Sequence, residues 1–247
     1  MRLTVVGCGD AFGAGGRLQA CFFVEDAGSR FLIDCGATTM IGLHRLGLDP
    51  NSIGTILISH LHGDHFSGLV WWLLHAQHVS RRTVPLTVAG PRGIAERFAV
   101  AAEALFPGST KSAMRYELRF AEFETPVRNT YGPISVVPFE VSHPSGAPSY
   151  ALRISLGAKT IGYSGDTEWV ETLTHCADGA DLFICECYGY EELVPYHMTW
   201  RIIEANLSRL RARRILLTHM SNEMLTNLGS IRRSGVLIAE DGLVLQV

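Results

Sequence analysis

The sequence is poor in charged residues and has no long apolar run. Only 18% of its 247 residues are Asp, Glu, Lys or Arg, and the formal net charge is −3. Proteins that hold nucleic acid by its phosphates usually carry a basic excess or a basic stripe, so this composition argues against a nucleic-acid partner. No segment reaches the ~18 uninterrupted apolar residues of a membrane helix. A small phosphorylated substrate remains compatible with the charge.

An export signal is absent as well. The apolar stretch at residues 3–6 is too short for a secretory signal peptide. We therefore expect a cytoplasmic protein whose six cysteines are reduced thiols rather than disulfides. Cys185 and Cys187 lie in an apolar run and are predicted to be small buried strand residues rather than metal ligands.

No low-complexity tract or linker divides the chain, so we expect one domain over residues 1–247. Short β-like runs bounded by Gly, Asp or Pro come first in each half, followed by mixed strands and helical patterns. This order favours two sheets packed together with helices on their outer faces.

The most informative segment is an apolar strand followed at once by the metal-competent side chains His60, His62, Asp64 and His65. Clustered imidazole and carboxylate groups are costly to bury without partners, and a divalent metal would supply one. His60 and His62 are two residues apart, so on an extended strand end they can point the same way. Gly63 permits a turn, after which the next two side chains point elsewhere. The split indicates two metal positions rather than one.

Three more candidates follow predicted strands. His143 lies in Val-Ser-His-Pro, Asp166 in Tyr-Ser-Gly-Asp-Thr and His219 in Leu-Leu-Thr-His-Met. Each alone is a weak signal, because a single His or Asp after a strand is usually solvated. Together with the His-x-His-x-Asp-His motif, and in this order along the chain, the three residues form a strong signal. The chain resembles the metallo-β-lactamase superfamily along nearly its whole length.

This resemblance implies an α+β fold, a four-layer αβ/βα sandwich with a binuclear metal site along one sheet edge. It implies two divalent metal ions as cofactors, zinc in the first place and manganese or iron as alternatives, because imidazole and carboxylate ligands suit these ions. The implied ligands are His60, His62 and His143 for one ion, Asp64, His65 and His219 for the other, and Asp166 as the bridge between them.

Further residues match the superfamily at strand and helix ends. Asp34 and Glu186 are expected to accept the second ring N–H of ligand histidines, with capping of nearby backbone as the alternative. His197 precedes a helical pattern at 199–210, where the ribonuclease Z-like branch carries a histidine beside the metals. We therefore expect His197 to protonate the leaving oxygen and Asp64 to orient the nucleophile. The alternative for His197 is a solvent-facing residue at a helix start.

The chain departs from the tRNA-maturing members of that branch. Those members carry a long tRNA-gripping arm between the positions of His143 and Asp166, whereas the short connection here reads as two strands. They also continue Asp-Cys-Gly with Glu-Gly, where this chain has Ala37 and Thr38. We therefore predict a phosphodiesterase that hydrolyses a small or cyclic phosphodiester, such as a cyclic nucleotide or cyclic sugar phosphate, through a metal-bridging hydroxide.

The same sequence features are compatible with other activities. The same ligands serve hydrolases of lactones, thioesters and other carbonyl esters, and ribonuclease Z-type RNA processing is a further possibility. A metal-binding sensor or accessory protein that retains the site without turnover is the non-enzyme alternative. The low charge and the habits of the superfamily also predict a homodimer.

Overall fold

The computed structural model describes residues 1–247, which form fourteen strands and seven α-helices. The strands are β1 (Arg2–Gly7), β2 (Cys21–Asp26), β3 (Ser29–Ile33), β4 (Thr55–Leu57), β5 (Leu86–Gly90), β6 (Leu118–Glu122), β7 (Asn129–Tyr131), β8 (Ile134–Val141), β9 (Ser149–Leu156), β10 (Lys159–Tyr163), β11 (Leu182–Glu186), β12 (Ile215–Thr218), β13 (Val236–Ile238) and β14 (Val244–Gln246). The helices are α1 (Thr39–Arg45), α2 (Gly63–Phe66), α3 (Gly68–Leu74), α4 (Ile94–Leu105), α5 (Thr172–Ala177), α6 (Trp200–Asn206) and α7 (Asn222–Thr226).

The strands form two seven-stranded sheets that follow one plan. The first has the order β14-β1-β2-β3-β4-β5-β6, antiparallel as far as β3 and parallel beyond it. The second has the order β13-β12-β11-β10-β9-β8-β7, antiparallel from β7 to β10 and parallel from β10 to β13. Parallel neighbours need crossover connections, and the helices supply them.

Alternation along the strands sorts apolar side chains into layers. Phe31 and Ile33 of β3 join the core between the sheets, while Leu32 joins the core under α1, α3 and α4. The second sheet does the same: Ile184 faces the inter-sheet core and Phe183 faces α5 and α6. Because successive strand side chains point to opposite faces, each sheet is covered on both sides. The result is the four-layer sandwich that the sequence predicts.

This topology brings several strand ends to one edge. Strands β8 and β10 are both antiparallel to β9, so they run in the same direction. The carboxyl ends of β8, β10, β11 and β12 therefore lie together, opposite the carboxyl ends of β3 and β4 in the other sheet. The Tyr163 hydroxyl at the end of β10 donates to Asp34 Oδ2 at 2.7 Å, a contact that joins the two sheets.

Some elements differ from the sequence prediction. The apolar pattern of the sequence does not indicate strands β6, β7 and β14, because their side chains are mostly half-exposed or exposed. The helix expected over 199–210 is α-helical only from Trp200 to Asn206, and the Thr199 hydroxyl caps its start by accepting the Ile202 N–H. All six cysteines are buried and unpaired, Cys185 and Cys187 included. No helix combines the length and apolarity required to cross a bilayer.

Candidate metal centre

The His-x-His-x-Asp-His motif forms a bend between β4 and α2. The backbone at His62 is extended, with φ −78° and ψ 151°, and α2 starts at the next residue, Gly63. The N–H groups of His65 and Phe66 both donate to the carbonyl of His62. This helical turn sends Asp64 and His65 in a different direction from the two residues before it. The turn expected at Gly63 is thus the first turn of a helix.

The seven predicted ligands gather in two adjoining clusters, and within each cluster the candidate ligand atoms all lie within 4.8 Å of one another. Asp166 Oδ2 faces both clusters. It lies 3.2 Å from His219 Nε2 and 3.3 Å from His65 Nε2, and 3.9 Å from the Nε2 atoms of His60 and His143. A bridging ligand would occupy this position. The first cluster consists of His60, His62 and His143, and the second of Asp64, His65, Asp166 and His219.

Several buried polar atoms in these clusters have no hydrogen-bond partner. They include the Nε2 atoms of His60 and His65 and the Oδ1 atom of Asp166. An unsatisfied buried donor or acceptor costs roughly 1–3 kcal/mol, and a divalent cation between such atoms removes that cost. The donor set is nitrogen and oxygen without thiol, which suits zinc, manganese or iron. The clusters therefore fit divalent metal ions.

The two clusters differ in the ionisation of their side chains. In the first, burial lowers the pKa of His143 to about 4 and also lowers the pKa of His60, so both are neutral imidazoles, the form that binds metal. In the second, burial alone would raise the pKa of Asp64, but His65 and His219 beside it hold it well below its usual range. Burial alone would lower the pKa of His219, but Asp166 and Asp64 raise it to about 9. Near neutral pH the second cluster thus combines ionised carboxylates with a protonated imidazole, and a metal ion would replace that proton.

Contacts behind the clusters fix the orientation of two imidazoles. Asp34 Oδ2 accepts from His65 Nδ1 at 2.6 Å, as the sequence predicts, so the Nε2 atom of that ring faces the cluster. His143 Nδ1 donates to the carbonyl of Tyr196 at 3.1 Å, so its Nε2 atom, 2.9 Å from His62 Nδ1, faces the first cluster. Ser59 supports the contact between Asp34 and His65, because its backbone N–H and its hydroxyl both donate to Asp34, at 2.7 and 2.8 Å.

Replacing Asp34 with asparagine is expected to weaken metal binding at the second cluster by about 10- to 100-fold, the usual effect of losing such a supporting carboxylate. The amide removes the negative charge that holds the proton on His65 Nδ1. Competition with a colorimetric zinc chelator measures the affinity. The control is Asp181→Asn, since Asp181 precedes β11 at the end away from the clusters and pairs with Lys159. Equal zinc affinity in the two variants would contradict this role for Asp34.

His197 lies beside both clusters, in the loop before α6. Its ring centroid is 5.0 Å from that of His143 and 5.7 Å from that of His219. Its Nδ1 atom lies 3.3 Å from Glu186 Oε2. Burial alone would lower the pKa of His197, but the Glu186 carboxylate raises it above its ordinary value. The geometry therefore suits an imidazolium that can donate a proton from its other nitrogen.

Glu186 departs from its first expected role and matches the alternative, capping of nearby backbone. It makes no hydrogen bond to a predicted ligand histidine, and its contacts are with His197 and with the backbone N–H groups of Thr167 and Met198. The carboxylate is fully buried. It therefore orients the predicted proton donor rather than a predicted ligand.

Sequence reasoning missed Tyr188, whose ring centroid lies 4.8 Å from that of His197 and 6.0 Å from that of His219. The residue has no motif of its own, because the contact depends on the loop that follows β11. Tyr188 lines a cavity of about 400 Å³, within the range of small-molecule sites. We call it the acidic cavity, and its lining includes Asp10, Phe12, Tyr188, Glu192, Ser221 and Glu223.

Comparison with known proteins gives a family match and likenesses of fold. A family model described as "Anti-Pycsar protein Apyc1" matches residues 1–240. Ribonuclease Z of Methanosarcina mazei is 23% identical, with 100% of this chain and 98% of that protein covered. The metallo-beta-lactamase fold protein YhfI of Bacillus subtilis has a TM-score of 0.77 at 23% identity, covering 99% of both chains. A diphosphatase from the PhnP family has a TM-score of 0.79 at 18% identity, covering 100% of this chain and 97% of that one. The fold is the expected αβ/βα sandwich of the metallo-β-lactamase type.

Proposed function

Because the chain belongs to the Anti-Pycsar protein Apyc1 family and is a hydrolase of the metallo-β-lactamase superfamily, we propose that it is a phosphodiesterase for a small or cyclic phosphodiester. The observation that carries the proposal is the Glu186–His197 pair at the edge of both clusters. This pair can supply a proton to an alkoxide leaving group, which is a poor leaving group without one.

We propose that the clusters hold two divalent ions, zinc in the first place. When bound, such ions lower the pKa of a water molecule and neutralise charge on the transferring phosphoryl group. The proposed ligands are His60, His62 and His143 on one side, Asp64, His65 and His219 on the other, and Asp166 between them.

The protein's own groups supply orientation and proton transfer. Asp64 is an ionised acceptor beside His65 and His219, at 3.3 and 3.2 Å, so it can hold the attacking water by one O–H. His197 carries its Nδ1 proton toward Glu186 and gives its other ring proton to the departing oxygen. The P–O bond to the leaving group breaks as the bond to the attacking oxygen forms, and the leaving oxygen becomes a neutral hydroxyl group with the proton from His197. The attacking water releases one proton to solvent, and His197 takes one up again before the next turnover.

Charge and topology favour a small substrate over RNA. The connection between His143 and Asp166 is filled by β9 and β10, so no arm extends from it. Beside the clusters, the acidic cavity carries Asp10, Glu192 and Glu223, and neither Lys nor Arg lines it. These carboxylates repel a polynucleotide backbone. The similarity to a protein named ribonuclease Z keeps RNA as the second substrate to test.

The proposal predicts metal-dependent hydrolysis of bis(p-nitrophenyl) phosphate by the zinc- or manganese-loaded protein. Release of p-nitrophenolate, followed by its absorbance, should stop after treatment with EDTA and return when metal is restored. Parallel assays with p-nitrophenyl acetate, a lactone and a short RNA test the other substrate classes. Turnover of a carbonyl ester without turnover of any phosphodiester would contradict the proposal. Full metal occupancy with no hydrolysis of any ester would favour a sensor or accessory protein.

A further inference from the structure

A second cavity, of about 260 Å³, is lined by chain neighbours of the first cluster. One wall contains Leu61, which lies between His60 and His62, together with Gly146 and Ala147 of the loop that follows His143. The other wall is the start of α4. We call it the arginine cavity, and the residues used below are Leu61, Arg92, Glu96, Arg97, Gly146 and Ala147.

Both arginines of this cavity lack a protein partner. Neither guanidinium group lies within 4.0 Å of a carboxylate oxygen or donates a hydrogen bond, whereas Arg209 and Arg211 pair with Glu171 and Asp178. Arg92 is exposed and Arg97 half-buried. Arginines without a partner are often simply solvated at a protein surface, whereas these two share one cavity.

Arg97 is held against the loop of the first cluster. Gly146 has φ +76°, and a Cβ built on it would lie 2.7 Å from Arg97 Nη2. The absence of a side chain at Gly146 thus lets the guanidinium group rest on the backbone three residues after His143. The positive charge therefore lies against the cavity wall formed by the loop after His143.

The charges around the metal centre are arranged asymmetrically. The arginine cavity has two guanidinium groups and one carboxylate, that of Glu96, which forms an ion pair with neither arginine. The acidic cavity, bordered by Tyr188 and by residues just beyond His219, has carboxylates and neither Lys nor Arg. An anionic group next to the scissile phosphate is therefore repelled on the side of the second cluster and attracted on the side of the first.

We propose that the arginine cavity is a subsite for a second phosphate group of the substrate, one that is bound but not cleaved. Arginine presents a planar fork of donors that matches phosphate oxygens, and such pairs are stronger than neutral hydrogen bonds. The inference rests on the proposed phosphodiesterase function and narrows its substrates to phosphodiesters that carry an additional phosphate. The acidic cavity then receives the uncharged part of the substrate.

A matched pair of substrates tests the subsite. Adenosine 2′,3′-cyclic phosphate and its 5′-phosphorylated form share one scissile diester and differ only in the second phosphate. We expect the metal-loaded wild-type protein to favour the 5′-phosphorylated form by about tenfold or more in kcat/KM, the factor that 1.4 kcal/mol provides. In the double variant Arg92→Gln, Arg97→Gln this preference should fall to about one. The control is Arg45→Gln, because Arg45 is another unpaired arginine that lines a different cavity, and the preference should persist in it.

Calorimetric titration of the metal-loaded proteins with inorganic sulfate gives a second readout that needs no turnover. We expect the double variant to bind sulfate more weakly than the wild type and the Arg45 variant, with circular dichroism verifying that all three are folded. Hydrolysis with an unchanged preference in the double variant would overturn the subsite and leave the phosphodiesterase proposal standing. Loss of sulfate affinity in a protein that hydrolyses no phosphodiester would overturn the function and retain the anion site. Equal sulfate affinity and no turnover would overturn both.

Discussion

Replacing Asp166 with asparagine is expected to lower kcat/KM for bis(p-nitrophenyl) phosphate by about three orders of magnitude, or ~4 kcal/mol of transition-state stabilisation. Asp166 is the carboxylate that faces both clusters, with Oδ2 3.2–3.9 Å from four imidazole nitrogens. Asparagine keeps the volume but removes the anionic oxygen that would link the two proposed ions. The metal content, measured by mass spectrometry of the purified protein, is expected to fall from two ions per chain to one or fewer.

The matched control is Glu168→Gln, the same loss of charge two residues further along the chain. Glu168 is exposed and accepts a hydrogen bond from the Ser142 hydroxyl, and its carboxylate belongs to neither cluster. This variant should keep both its metal content and its turnover within about threefold of the wild type, because exposed substitutions away from special features usually change free energies by ±0.5 kcal/mol. Full metal content and full activity in the Asp166 variant would show that the residue bridges nothing.

The position of the metal clusters could be predicted because it depends on strand ends. His60, Asp166 and His219 each follow an apolar run, and carboxyl ends of strands that run in the same direction meet at one edge of a sheet. The local sequence therefore indicates both the types of the candidate ligands and their position at one edge of the sheets. The layered fold was predictable for the same reason, since alternation of apolar residues decides which face of each strand is buried.

Contacts between distant residues could not be predicted in this way. Tyr163 and Asp34 are 129 positions apart and belong to different sheets, so no local sequence pattern predicts their hydrogen bond. The pairing of Glu186 with His197 depends on the path of the loop after β11. Arg97 looks like an ordinary solvated charge until the loop containing Gly146 is placed against it. Long-range packing decides each of these contacts.

A large loss of turnover is also expected when the proposed proton donor is removed. Replacing His197 with alanine is expected to lower kcat by about 10²- to 10⁴-fold, the usual contribution of general acid–base catalysis, while the metal content stays at the wild-type level. His197 is not one of the seven proposed ligands, although it lies within 4.8 Å of candidate ligand atoms of His143, Asp166 and His219, and Glu186 holds it from behind. Its removal therefore takes away a proton donor without removing any of the seven proposed ligands. Steady-state kinetics and metal analysis of the same sample measure both quantities.

Comparison of two substrates with different leaving groups tests whether His197 is a proton donor or a structural residue. A p-nitrophenolate ion departs readily without a proton, whereas the alkoxide released from a cyclic nucleotide needs one, so the loss should be much larger for the cyclic nucleotide. His175→Ala is the matched control, because His175 is an exposed histidine in α5 and should show no such difference. Glu186→Gln should reproduce part of the selective loss, since it removes the charge that keeps His197 protonated. An equal loss for both leaving groups, or a loss of metal from the His197 variant, would assign the residue to the support of the metal clusters instead.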